Sequence, residues 1–224
     1  MDKYIHFPIG SLKFYSELYR IILCYISRIE NIAIDSYLIY QELKIKSLSD
    51  IISNLPKYKK LFVDSGGFYV NPNIQKNKKI ISNLIEIQNS LNPDLAVNFD
   101  YVIFKYLNVP YQKLVKLNIC SIKNFLENSS AKIKLAAIQA RNSDHSVEKY
   151  FKAVAKMEGV DGLAIPMWAE SNKKIIEFIK NNSLNDSYHI HAMGNPIYVF
   201  FKTDTKILDS CDFDPRVLLQ YFKT

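Results

Sequence analysis

The segment LFVDSGGFYV (residues 61–70) is a short apolar run that ends in an acid, a hydroxyl and two glycines. An apolar run of this length, bounded by turn residues, is too short for a helix and is typical of a strand buried on both faces. Seven other runs have the same character. The full set is YIHFPIG (4–10), NIAIDSYLI (31–39), KLFVDSGG (60–67), DLAVNFDY (94–101), KLAAIQAR (134–141), VDGLAIP (160–166), SYHIHAMG (187–194) and KILDSCDF (206–213).

The segments between these runs repeat apolar residues at the three- and four-residue spacing of an amphipathic helix. The predicted helices cover 11–29, 47–55, 73–91, 110–127, 145–158, 170–181, 196–203 and 215–222. Because parallel strands are joined by crossover helices, the alternation predicts an α/β protein with a (β/α)8 TIM barrel. We expect a single barrel domain over residues 1–224, with an open doubly wound sheet as the alternative.

Composition narrows the class of protein. Hydrophobic residues make up 48% of the 224 residues, and the formal net charge is +7. No apolar run approaches the ~18 residues of a membrane span and no signal peptide is evident, so we expect an intracellular, cytoplasmic protein without membrane contact. The positive charge is compatible with a nucleic-acid partner. It is equally compatible with a genome whose base composition enriches lysine codons. The three cysteines lie far apart, which argues against a zinc site or a disulfide framework.

Polar residues end most of the predicted strands. In a (β/α)8 barrel these ends meet at the carboxyl end of the barrel, where active sites form. Acids at the end of an apolar strand are costly unless they are paired or functional, although any one of them can instead cap the next helix. The polar strand-end residues are Asp64 and Ser65, Asn98 and Asp100, Gln139 and Arg141, Asp161 and Gly162, His191 and Met193, and Asp209 and Ser210.

Six of these segments resemble, in order, motifs of the tRNA-guanine transglycosylase superfamily. DSGGF (64–68) is the most specific, because the family reads Asp-Ser-Gly-Gly-Phe-Gln at this point. The other five segments are VNFDY (97–101), AAIQAR (136–141), DGLAIP (161–166), HAMGNP (191–196) and ILDSCDF (207–213). The family fold is a (β/α)8 barrel, in agreement with the alternation of strands and helices.

The resemblance implies base exchange by a pentosyltransferase through a covalent aspartyl-glycosyl intermediate. Asp209 is implied as the nucleophile that attacks C1′ of the nucleoside, and Asp64 as the general acid and base. This division suits retaining transfer, in which one carboxylate stays ionised while the other gains and loses a proton. The resemblance also implies a set of base-binding residues, namely Asp100, Gln139, Gly162, Leu163, Met193, Phe68 and Ser65. Ser65 is equally suited to capping the following turn.

The sequence departs from the family in two places. Tyr69 replaces the family's Gln, and Pro166 lies where the family has glycine. The family's zinc-binding subdomain has no counterpart after Asp209, so we expect no metal and no cofactor. A small member of this kind is similar to the 7-deazaguanine DNA transglycosylases, viral ones in particular. We therefore expect DNA and a 7-deazaguanine free base as substrates, with a homodimer or a partner protein as further possibilities.

Other residues admit a functional and a structural interpretation. Arg141 and Lys202 follow strand ends and are candidates for phosphate contacts, as is Lys105. Trp168 suits stacking on a flanking base or covering the top of the barrel. His189 and His191 form an HxH pair that lacks an evident third metal ligand.

Three other functions remain open at this stage. They are a minimal tRNA-guanine transglycosylase, a non-catalytic nucleic-acid-binding paralogue and a glycosidase that releases the base to water. The presence of both Asp64 and Asp209 argues against the paralogue, since a scaffold does not need two strand-end acids.

Overall fold

Eight parallel strands close into a barrel in sequence order, as predicted. The protein is represented by a computed structural model that describes residues 2–6, 31–55, 57–139, 146–166, 170–194 and 207–213. The strands are β1 (Asp2–His6), β2 (Asn31–Asp35), β3 (Lys60–Asp64), β4 (Leu95–Val97), β5 (Ile133–Ala137), β6 (Gly162–Pro166), β7 (His189–Met193) and β8 (Ser210–Phe213). Strand β8 pairs with β1 and completes the ring.

Helices cover the outside of the barrel. They are α1 (Ser36–Glu42), α2 (Leu48–Ser53), α3 (Ile74–Ser90), α4 (Tyr111–Asn128), α5 (Ser146–Val154) and α6 (Glu170–Asn181), with 3₁₀ turns at Ile103–Tyr106 and Leu184–Asp186. Ser47 and Asn73 begin α2 and α3 by accepting backbone N–H bonds, which satisfies groups left open at a helix start. The helices predicted at 11–29, 196–203 and 215–222 lie outside the described residues. No helix among the described residues is long and apolar enough to cross a membrane.

The predicted strand 31–39 is too long. Strand β2 ends at Asp35, and α1 begins at Ser36. The apolar residues after Asp35 suggested a continued strand, but Ile39 is buried with Ile34 and Val63 in the layer between barrel and helices. Packing of the helix on the outside of the barrel therefore overrides the strand propensity of this segment.

Side chains alternate between the barrel interior and the helical layer, as the two-residue period of a strand requires. The interior cluster contains Tyr4, Ala33, Phe62, Leu95, Val97, Leu135, Ala137, Ala164 and Met193. The strand register shows which acids also point into the barrel interior. Asp35 and Asp64 are cross-strand partners two positions after Ala33 and Phe62, and Asp212 is the partner of Tyr4. These three acids therefore belong to the interior column of their strands.

Candidate active site

Asp64 and the turn after it form the first part of the candidate site. Asp64 is the last residue of β3, and the Ser65 hydroxyl donates to Asp64 Oδ1 over 3.3 Å. The same hydroxyl accepts from the Gly67 N–H at 3.3 Å, and the Ser65 carbonyl accepts from the Ser36 hydroxyl at 3.1 Å. Ser65 thus shapes the turn and contacts the acid, so the capping interpretation of this residue is correct in part.

Gly66 and Gly67 are required for different structural reasons. Gly66 has φ +74°, and a Cβ on it would lie 2.6 Å from Tyr37 Cβ. A Cβ on Gly67 would lie 2.5 Å from Asp100 Oδ1 and 2.6 Å from the Asp100 carbonyl oxygen. Gly66 is therefore needed for the backbone turn. Gly67 is needed for the close approach of this turn to Asp100.

Asp100 and Gln139 come together as predicted. Gln139 follows β5, and its Nε2 donates to Asp100 Oδ2, while its Oε1 accepts from the Ile103 N–H at 3.0 Å. Both side chains are buried. Burial raises the pKa of Asp100 to about 7, although hydrogen bonds and the charge of Lys105 act in the opposite sense. Asp100 can therefore exchange a proton near neutral pH, or lose it when a ligand offers N–H donors.

Asp35 is a further acid at the carboxyl end of the barrel that the sequence analysis does not single out. It ends β2, its side chain is buried, and it is the register partner of Asp64. The predicted strand ran on past it, so it was not counted as a strand-end acid. An acid inside an otherwise apolar run was the available signal.

Asp209 does not lie where the sequence predicts. Strand β8 begins at Ser210, so Asp209 precedes the strand and lies at the amino end of the barrel, opposite Asp64. It is exposed and lines a cavity of about 420 Å³ there with Asp2, Lys60, Asp94, Leu95, Lys132, Ile133 and His189. Asp64 and Asp209 therefore cannot act on the same nucleoside, and the prediction that Asp209 ends its strand is wrong.

A repeated hydrogen-bond arrangement explains why an acid occupies this position. The Asp209 N–H donates to the Ile190 carbonyl, and its Oδ2 accepts from the N–H of the same Ile190 at 2.8 Å. Its carbonyl accepts from the first residue of the next strand, Asp2. Asp94 and Asp161 make the same three bonds, with carboxylates that accept from Leu61 N at 2.9 Å and Lys134 N at 2.8 Å. We call Asp94, Asp161 and Asp209 the aspartate clamps.

Asp212 takes the place at the carboxyl end that was assigned to Asp209. It is 1% exposed, and its Oδ1 accepts from Gly194 N at 3.2 Å and lies 3.1 Å from His191 Nε2. The sequence does not single out Asp212, because ILDSCDF holds two acids three positions apart and only one of them can lie at the carboxyl end of the strand. The available signal was the position of the apolar residues, since Cys211 and Phe213 flank Asp212 and continue the strand past Asp209.

Gly162 and Leu163 show the same error of assignment. They open β6 rather than follow it, and Leu163 packs outward among the helices. A Cβ on Gly162 would lie 2.3 Å from the His189 carbonyl oxygen, so this glycine serves close packing between β6 and β7. The carboxyl end of β6 is Pro166, and the two base-binding roles predicted for Gly162 and Leu163 have no support at the position they occupy.

The remaining predicted residues have four different outcomes. Met193 ends β7 in the barrel interior and is 8% exposed. Phe68 is 53% exposed beside Tyr69, so it borders the site rather than filling its floor. Arg141, Trp168 and Lys202 lie outside the described residues. Lys105, a further candidate for phosphate, instead donates to the carbonyls of Phe68 and Val70 and holds this turn in place.

The carboxyl end of the barrel thus carries Asp35 and Asp64, which end β2 and β3, together with Asp100 after β4 and Asp212 in β8. Their surroundings differ in exposure and in hydrogen-bond donors, the condition under which like groups take different chemical roles. Among the described residues, no group of three His, Cys, Asp or Glu side chains is arranged to hold a metal ion. No protein-family model matches the chain, and no curated protein is significantly similar to it. Functional assignment therefore depends on these residues and their placement.

Proposed function

We propose that the protein is a nucleic-acid guanine transglycosylase, a pentosyltransferase that exchanges guanine in DNA for a 7-deazaguanine base. The observation that carries the proposal is the placement of Asp64, Asp100 and Asp212 at the carboxyl end of one barrel. Each of these acids lies in one of the segments that resemble the transglycosylase superfamily. The ordered resemblance and the geometry support the same class of reaction.

Asp212 is the nucleophile in this proposal. Its carboxylate attacks C1′, the bond from C1′ to the base nitrogen breaks, and the departing guanine takes a proton from Asp64. The incoming base then returns a proton to Asp64, its nitrogen attacks C1′, and the bond to Asp212 breaks. Two displacements keep the configuration at C1′ and leave both carboxyl groups as they began.

Asp100 is the residue proposed to bind the base, and Gln139 is proposed to position it. A guanine-like edge presents N–H donors, and an ionised Asp100 is an acceptor for them. Gln139 holds Asp100 in place through its own bond to Oδ2. Met193 offers an apolar contact for a ring face from β7, and Phe68 borders the entrance. Nothing in this arrangement separates guanine from a 7-deazaguanine, which share this edge.

DNA is the proposed nucleic acid because the sequence resembles the DNA-modifying members of the superfamily. The net charge of +7 suits a nucleic-acid partner of either kind. A base within a duplex cannot reach a barrel mouth, so the nucleotide must be flipped out at a cost of about a few kcal/mol. A tRNA loop offers an unstacked base without that cost, which makes tRNA the alternative substrate to include in the test.

The test is incorporation of radiolabelled guanine into duplex DNA, single-stranded DNA and bulk tRNA, run in parallel. We expect label in DNA with the wild-type protein and none with Asp212→Asn. The matched control is Asp209→Asn, which alters the other acid of the same segment and should keep wild-type incorporation. Label in tRNA alone would move the assignment to a tRNA enzyme, and release of free guanine without incorporation would indicate a glycosidase.

A further inference from the structure

A line of buried polar side chains runs along the barrel interior from the candidate site toward the amino end. His191 Nε2 lies 3.1 Å from Asp212 Oδ1, and His191 Nδ1 lies 2.7 Å from the Ser210 hydroxyl oxygen. The same hydroxyl lies 2.6 Å from His189 Nε2. His191 and Ser210 are 0% exposed and Asp212 is 1% exposed, so water does not compete for the bonds among these three, whereas His189 is partly buried. We call these four residues the polar relay.

The proton count along the polar relay allows one arrangement when Asp212 is ionised and His191 is neutral. An ionised carboxylate only accepts, so His191 Nε2 must carry a proton and donate it. A neutral His191 then has an unprotonated Nδ1, which must accept from the Ser210 hydroxyl. That hydroxyl has a single proton, so it accepts from His189 Nε2. Every donor in the relay therefore points toward Asp212.

The surroundings favour this direction over its reverse. Gly194 N also donates to Asp212 Oδ1, and a second donor on the same carboxylate stabilises its ionised form. The His191 ring packs against Tyr4 and Phe62, with ring centroids at 6.1 and 4.3 Å, which fixes the plane of the imidazole in the barrel interior.

The groups at the far end of the relay also leave His189 neutral. Burial lowers the pKa of His189, and His191 and Lys60 act in the same direction, while Asp209 and Asp2 oppose it. A neutral His189 with its proton on Nε2 is the donor that Ser210 requires. The relay is thus consistent from its amino-end histidine to its carboxyl-end acid.

We propose that His191 is a positioning residue for Asp212, fixed by Ser210 and His189 in the tautomer that carries its proton on Nε2. This inference rests on the proposed role of Asp212. In this arrangement the relay orients the carboxyl group and keeps it ionised, the state that attacks C1′. None of His191, Ser210 and His189 touches the substrate.

The first test observes the tautomer and needs no substrate. Long-range 1H–15N NMR correlation on the full chain distinguishes protonated from unprotonated imidazole nitrogens. At neutral pH we expect His191 to be protonated on Nε2 and unprotonated on Nδ1. A proton on Nδ1 would overturn the proposal, whether alone or together with one on Nε2.

Two buried serines provide a matched pair for this measurement. Ser210→Ala removes the donor to His191 and should let the Nδ1–H tautomer appear. Ser121→Ala removes a buried hydroxyl that donates to the Phe99 carbonyl and should leave the His191 tautomer unchanged. Equal tautomer populations in the two variants would mean that Ser210 does not hold His191, against the proposal.

The second test compares His191→Phe with His191→Gln in the guanine exchange assay. Phenylalanine has no donor for Asp212, so kcat should fall about 10- to 100-fold with little change in KM for DNA. Glutamine keeps an N–H donor and should recover part of the loss. The acidic limb of the kcat profile should move to higher pH in the phenylalanine variant, because the carboxylate has lost a donor.

The outcomes separate the two proposals. An unmoved pH profile, or a glutamine variant no better than phenylalanine, would show that His191 acts only in packing. If the wild-type protein exchanges no base on any nucleic acid, the proposed function fails. The tautomer measurement then still decides whether His191 is fixed by the relay.

Discussion

Asp209 directly precedes strand β8 and Asp212 lies near the carboxyl end of that strand, although only three positions separate them. A strand rises about 3.3 Å per residue, so their backbones are roughly 10 Å apart along the barrel. Asp209 fastens the amino end through Ile190, whereas Asp212 meets His191 and Gly194 toward the carboxyl end. A chemical role at the carboxyl end therefore belongs to Asp212.

The two acids should respond differently to the same change. Asp212→Asn removes the charge of the proposed nucleophile, and we expect guanine exchange to fall below detection. Asp209→Asn keeps an oxygen that can accept from Ile190 N, so exchange and folding should stay near wild type. Incorporation of labelled guanine, with circular dichroism to confirm folding, measures both. Loss of exchange in Asp209→Asn alone would return the nucleophile to that residue.

Replacing any one of the aspartate clamps should lower the stability of the protein by a similar amount. Asp209→Ala and Asp161→Ala each remove a carboxylate that accepts from one strand N–H, and each should lower the free energy of unfolding by about 1 kcal/mol. Urea denaturation of the two variants gives the comparison. A loss in Asp161→Ala with none in Asp209→Ala would contradict the equivalence of the clamps.

Gly67 should be required for activity, and Gly159 should not. Gly67→Ala places a Cβ 2.5 Å from Asp100 Oδ1, so the turn or Asp100 must shift, at about 1–3 kcal/mol of stability and at least about a tenfold loss of exchange. Gly159→Ala meets no atom within 4 Å but has φ +85°, which costs about 1 kcal/mol. Denaturation and exchange assays on both variants separate the effects. Equal activity in the two variants would contradict the close approach at Asp100.

Asp100 should make stability depend on pH. Its pKa is raised from 3.8 to about 7 in the folded protein, so the folded state binds more protons than the unfolded state between these values. The contribution of Asp100 to the free energy of unfolding is therefore greatest below about pH 4 and is lost as pH rises toward 7. Asp100→Asn removes the dependence, and its stability relative to wild type should rise by roughly 2 kcal/mol from pH 5 to pH 8. Unfolding at the two pH values measures it, and a constant difference would contradict the raised pKa.

The sequence predicts the barrel well because each strand is a short apolar run with helical segments on either side. It predicts the strand ends poorly. When an apolar run has a polar residue on each side, the sequence does not show which polar residue lies at the carboxyl end of the strand. Asp161 and Asp209 precede their strands, whereas Asp64 is the last residue of its strand. The predicted strand 31–39 includes the first residues of helix α1. Their apolar side chains pack on the outside of the barrel, a tertiary contact that the local sequence pattern does not reveal.

Within the site, the sequence correctly placed Asp64, Ser65, Asp100, Gln139 and Met193 at the carboxyl end. These residues end or follow strands whose last apolar residue is clear from the sequence. Asp35 and Asp212 were missed because each lies inside an apolar run, where an acid signals an interior position only once the register is known. The contact between Gly67 and Asp100 joins two separate loops and cannot be predicted from local pattern.

The aspartate clamps are distributed unevenly around the amino end of the barrel. They join β3 to β5 through Asp94, β5 to β7 through Asp161 and β7 to β1 through Asp209. The arc from β1 to β3 is spanned at that end by the ion pair of Lys60 and Asp2, whose side chains are 43% and 39% exposed. An exposed ion pair is weakened by salt, while a carboxylate bonded to a strand amide is much less affected. Rising ionic strength should therefore loosen one arc of the ring first, and amide hydrogens of β2 should then exchange with solvent ahead of those on the clamped strands.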